Sequence, residues 1–222
     1  MTETELELAA LAAPVVTRYR FTVPYDPGDL IPGYVTRDGS VGVAPLRDVY
    51  GLAGACFAVN YGQGTTFITA KTGLTAAQPD LDLDIPSGTA ILPLSFGIAF
   101  GAMTGTANHF FLQYGSSLVG AGTSSAATAG PTPFGSARGT ACTARQAYSG
   151  SGTAPASPIE LFDIDASTAA SNGTPYTFTW TPPTLEPIVG PACVVGYGVS
   201  TTTALTFKAV LTYAEFPANY FT

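Results

Sequence analysis

The stretch DIPSGTAILPLSFGIAFGAMTGTANHFFLQYG, residues 84–115, decides how this chain is read. Between Asp84 and Gly115 it carries no lysine, arginine, aspartate or glutamate. A membrane-spanning helix needs about 18–20 continuous apolar residues, so the length invites that reading. Pro86, Pro93, Gly88, Gly97, Gly101 and Gly105 refuse it, because a helix interior tolerates neither residue type well. Short apolar runs bounded by turn residues are the pattern of buried strands. The stretch therefore predicts two strands, AILPLSFGIAF and ANHFFLQYG, joined by a Gly/Thr turn.

The same pattern extends in both directions. VVTRYRFTV at 15–23 sets Arg18 and Arg20 against Tyr19 and Phe21, the alternation of a half-buried strand. Further strands are predicted in GACFAVN, TTFITA, LDLDI, ACTARQAY, PIELFDID, YTFTWT, ACVVGYGV and LTFKAVLTYAEF, separated by Gly, Pro, Ser and Thr. No stretch of useful length after Pro14 has helical periodicity. The chain thus reads as all-β: a jelly-roll-like antiparallel β-sandwich forming one domain over residues 14–222. A short arm, residues 1–13, precedes it, with Leu6, Leu8 and Leu11 as candidate contact residues. The Gly/Ser/Ala/Thr stretch at 115–137 is long for a plain loop, and reads as exposed or as ordered by a neighbour.

Charge separates this chain from ordinary soluble domains. Only 10% of its 222 residues are charged, against roughly 25% as a rule. Residues 1–50 hold eleven of the charges, leaving twelve for the other 172 residues. With a net charge of −7 and no Lys/Arg cluster, phosphate neutralisation has no basis, and nucleic-acid binding is not expected. A content of 46% hydrophobic residues speaks against disorder. A surface so short of ions is expected to be covered in part by copies of itself. The first residues lack the basic start of a signal peptide, and synthesis in a host cytoplasm is expected.

Each potential chemical site has a plain structural competitor. Asp80, Asp82 and Asp84 alternate with Leu81, Leu83 and Ile85, so the three carboxylates share one strand face. They read as a solvated acidic face, with a divalent-cation site as the subordinate candidate. His109, the single histidine, has no nucleophile elbow near it. Glu160, Asp163 and Asp165 could serve glycoside hydrolysis only with a carboxylate placed across a cleft. Trp180, Tyr148, Tyr176 and Tyr197 could form a sugar-stacking platform, or simply core. Cys56, Cys142 and Cys193, odd in number and unpaired in spacing, read as buried thiols. No dinucleotide, phosphate-loop or HExxH motif is present, so neither cofactor nor enzyme activity is expected.

Three segments carry a resemblance: IPSGTAILPLSFGIAFGAMTGT, SGSGTAPASPIELFDID and VGPACVVGYGVSTTTALTFKAVLTYAEFP. They resemble structural proteins of bacteriophage virions over roughly residues 80–217. The resemblance implies a jelly-roll virion component, either a capsid shell protein or a cement (decoration) protein. Its implied partners are other copies of the chain, with three-fold closure preferred, and other capsid proteins. It implies no catalytic residues. A carbohydrate-binding or adhesin-type sandwich is the alternative expectation.

Overall fold

The structure, a computed structural model, describes residues 34–35, 41–42, 55–101, 108–120, 122–132, 139–166, 176–200 and 205–221. The arm expected at 1–13, with Leu6, Leu8 and Leu11, and the strand expected at 15–23 lie outside the described residues.

In chain order the strands begin with β1 (Tyr34–Val35), β2 (Val41–Gly42), β3 (Cys56–Tyr61), β4 (Ile68–Thr69), β5 (Leu81–Ile85), β6 (Thr89–Phe100) and β7 (Asn108–Gly115). Then follow β8 (Ser125–Ala126), β9 (Thr128–Pro131), β10 (Thr143–Gln146), β11 (Ile159–Ala166), β12 (Tyr176–Trp180), β13 (Ile188–Val189), β14 (Ala192–Ser200) and β15 (Thr206–Pro217). Two antiparallel sheets pack face to face as a β-sandwich. The first runs β11-β7-β14-β5-β10-β8; the second runs β12-β6-β15-β3-β9, with β13 added on β6 and β4 on β15. Among the eight main strands, the orders reduce to β5-β14-β7-β11 and β3-β15-β6-β12.

The uncharged opening stretch supplies the middle of both sheets. β6 lies between β15 and β12 in one sheet, and β7 lies between β14 and β11 in the other. Charge is absent there because strands flanked on both sides and packed on a core have little water to offer an ion. Pro93 survives in such a strand through a register shift: Thr212 pairs with Ser95 and Tyr213 with Pro93, leaving Leu94 as the extra residue. A bulge of this kind accommodates a residue that has no N–H to give the ladder.

The core lies between the sheets. Phe57, Val59 and Tyr61 of β3, Phe96, Ile98 and Phe100 of β6, and Leu81, Leu83 and Ile85 of β5 are all buried in it. Burial of each such side chain is worth roughly 1.5–3 kcal/mol. Gly196 of β14 is packed tightly against the core. A Cβ there would stand 2.4 Å from Leu81 Cδ1 and 2.9 Å from Phe110 Cζ.

The Gly/Ser-rich stretch after β7 departs from expectation. It is not all loop: β8 pairs with β10 and β9 pairs with β3. The segment 125–131 thus passes from the edge of the first sheet to the edge of the second and closes that side of the sandwich. Small residues permit this tight crossing, and closure satisfies backbone groups that an edge would leave open. On the opposite side β11 and β12 end their sheets among the described residues. Between them Phe162 stacks on Phe178 at 5.2 Å and meets Trp180 at 6.1 Å, an aromatic stop to the core.

Candidate functional site

The acidic strand β5 overturns the expectation of a solvated face. Asp80, Asp82 and Asp84 are all buried. The face they share is covered by the segment that follows β7. There Val119 and Tyr148 pack on Cys193, Val195 and Tyr197 of β14, with Phe111 of β7 alongside. Sequence alternation placed the carboxylates on one face correctly, but it could not show a third layer lying over that face.

Each carboxylate has its own partners. Asp80 accepts from Gly198 N at 2.7 Å and lies 3.5 Å from Lys71 Nζ. Asp82 accepts from Arg145 Nη1 at 3.0 Å and from the Tyr148 hydroxyl at 2.9 Å. Asp84 accepts from Arg145 Nη1 at 2.6 Å and from the backbone N–H groups of Val119 and Gly120 at 2.8 and 3.1 Å. Two cations thus serve three carboxylates, and Asp82 Oδ1 is buried without a hydrogen-bond partner. Burial, and after it the neighbouring charge of Asp84, pushes Asp82 up to about 7. Burial raises Asp80 to about 6, against the pull of Lys71.

This arrangement pins a segment to the first sheet. Among the described residues no three His, Cys, Asp or Glu side chains are placed to hold a metal. A hard cation wants six or more oxygen ligands, and all the carboxylate oxygens here except Asp82 Oδ1 are committed to Lys71, Arg145, Tyr148 and backbone N–H groups. Arg145 and Lys71 were not singled out from the sequence, and Tyr148 was read only as a platform or core aromatic. A single cation in a short strand gives no hint of where it points.

His109 lies on β7 opposite Asp165 of β11. Its Nδ1 stands 2.8 Å from Asp165 and its Nε2 3.2 Å from Asp163. A triad histidine needs one nitrogen for a carboxylate and the other for the nucleophile. Here carboxylates take both, and the imidazole serves as a clasp between β7 and β11. The thiols offer no nucleophile either: Cys56, Cys142 and Cys193 are buried, and burial pushes Cys142 and Cys193 up to about 12. Reactive thiols require the opposite shift.

The expected sugar platform does not assemble. Tyr148 and Tyr197 are buried, their hydroxyls spent on Asp82 and on Ala76 O. The side chain of Tyr176 lies outside the described residues. Trp180 instead lines a groove of about 560 Å³, walled by Pro182 and Pro183 and shared with Tyr114, Glu160 and Glu186. The groove lies at the open side of the sandwich, beside the start of β11 and the end of β12. Glu186 accepts from Thr184 Oγ1 at 3.1 Å. Glu160 and Glu186 are both exposed; a glycosidase acid is commonly held protonated by burial in an apolar pocket. Glu160 is thus separated from Asp163 and Asp165, which it neighbours in sequence, and joined to a residue the sequence reading passed over.

A further buried carboxylate, Glu215 of β15, accepts from Thr140 Oγ1 at 2.5 Å and from Ala141 N at 3.1 Å. It fastens the segment before β10 to the second sheet. Compared with protein-family models and with curated proteins, the chain matches none.

Proposed function

We propose that this chain is a structural protein of a phage virion, a shell or capsid-stabilising (cement) component that assembles through low-charge subunit surfaces. The orders β3-β15-β6-β12 and β5-β14-β7-β11 are those of two interlocked Greek keys, and we read the sandwich as a jelly roll. That architecture serves capsid proteins, lectins and cupins alike, so the surface must decide among them.

The observation that carries the proposal is the outer face of the second sheet. A shallow concavity of about 570 Å³ runs across Gly97, Ala99, Thr177, Thr179 and Val210, with Lys208 as its one charged lining residue. Lys208 is itself engaged, donating to Gly64 O and lying 4.3 Å from the Phe67 ring centroid. Small and hydroxyl-bearing residues allow close approach of another subunit without desolvating ions. Native mass spectrometry and electron microscopy of the purified chain test the proposal: closed oligomers or shells are expected, and Val210→Glu should dissolve them. A strictly monomeric chain at high concentration would overturn it. Among the described side chains the carbohydrate-binding alternative retains Trp180 from its expected platform, and a glycan array is its test.

A further inference from the structure

We infer that the groove beside Trp180 is the receptor for residues 15–23 of a neighbouring copy of this chain, with Arg18 and Arg20 answering Glu160 and Glu186. The inference rests on the self-assembly proposed above and names the contact that would close it.

Charge complementarity comes first. The groove presents two exposed carboxylates and no lysine or arginine in its lining. The cations of the described body cannot supply the missing charge. Lys71 and Arg145 are held by Asp80, Asp82 and Asp84, and Lys208 is held at Gly64 and Phe67. The remaining basic residues are Arg18, Arg20, Arg37, Arg47 and Arg138. Arg18 and Arg20 alone among them stand two apart in an alternating segment, which in an extended strand sets both guanidinium groups on one side, about 6–7 Å apart.

Shape agrees with charge. The groove opens beside β11 and β12, the strands that end their sheets on this side among the described residues. An arriving extended segment finds unpaired strand edges there, the usual template for strand addition. Its other side, Tyr19 and Phe21, suits the aromatic and proline wall of Trp180, Pro182 and Pro183. The proline wall is stiff before anything binds, which lowers the ordering cost of the contact.

Reach is ample. Ala55, where the continuous described chain begins, accepts from Glu215 N. Glu215 pairs with Ile91 and Ile91 with Ile188, which lines the groove. The chain therefore enters at the same end of the sandwich, about 14 Å away across three strand spacings. With β1 paired antiparallel to β2, which sets Tyr34 beside Gly42, the residues between 23 and 55 can still extend about 75 Å, beyond their own groove and enough to cross to the next molecule. One arm given and one groove filled per copy is a head-to-tail contact, the kind that forms a ring where its rotation closes.

The test uses the full chain. R18E/R20E and E160K/E186K are each compared with wild type by native mass spectrometry and thermal melting, together with the four-fold charge swap that combines them. Each double variant should associate at least about tenfold more weakly with an unchanged melting midpoint, and the swap should restore assembly. Assembly that persists in the double variants, as it would if the segment filled its own groove, overturns the inference while leaving self-assembly intact. A swap that fails to restore assembly also overturns it. A monomeric wild type removes the inference and the proposed function together.

Discussion

Arg145 holds Asp84 at 2.6 Å and reaches Asp82 with the same nitrogen, so one guanidinium ties β10 to two carboxylates of β5. Val119 and Gly120 join the same knot through Asp84. The covering segment is therefore fastened to the first sheet by charge-assisted hydrogen bonds, the strong kind. Four consequences can be measured.

Stability should fall as pH rises across neutrality. In the unfolded chain Asp80 and Asp82 titrate near 3.9; in the fold they do so at about 6 and about 7. The folded state binds their protons more tightly, so their contribution is complete below about 4 and is lost as pH passes 6 and then 7. Asp82→Asn should flatten this slope and stabilise the protein at pH 8 by on the order of 1–3 kcal/mol. Thermal melts from pH 4 to 8 check both, and a slope unchanged in the variant would contradict the assignment to Asp82.

Arg145→Met should be severe. It strips the cation from two buried carboxylates, and breaking a buried pair costs about 3–5 kcal/mol. The penalty should shrink at pH 4, where Asp82, raised to about 7, is neutral. Urea denaturation at pH 7.5 and pH 4 gives the comparison, and an equal loss at both would point to packing instead.

Gly196→Ala should cost about 1–3 kcal/mol through overpacking. The new methyl would stand 2.4 Å from Leu81 Cδ1, with Phe110 Cζ close behind at 2.9 Å. Adding Leu81→Val should recover part of the loss; a Gly196→Ala variant melting like wild type would mean the strand shifts freely.

Deleting residues 1–13 should weaken assembly while leaving the melting midpoint within a few degrees. Leu6, Leu8 and Leu11 then belong to a contact between copies. A large drop in the midpoint would place them in the folding of the sandwich itself.

Strand content was legible because alternation and turn residues are local signals. All ten strands predicted from GACFAVN onward, counting the two in the opening stretch, correspond to β3–β7, β10–β12, β14 and β15. The Gly/Ser stretch was read as loop yet holds β8 and β9, and β1 and β2 lie before GACFAVN where no strand was predicted. Those strands are two to four residues long, and pairing partners rather than side-chain pattern define them. The three aspartates show the same limit. Their shared face followed from a period of two, but whether water or protein covered it depended on residues 35 to 66 positions away. Glu186 was invisible for a similar reason, since its neighbour in space, Glu160, is far off in the chain.

The segment that crosses from β8 to β9 leaves the molecule with one hem stitched and one left raw. Endless stacking by strand addition, as in amyloid, requires a free margin at both ends of every unit. Among the described residues the sandwich offers free edges on one flank only, so the second margin that such stacking requires is missing there.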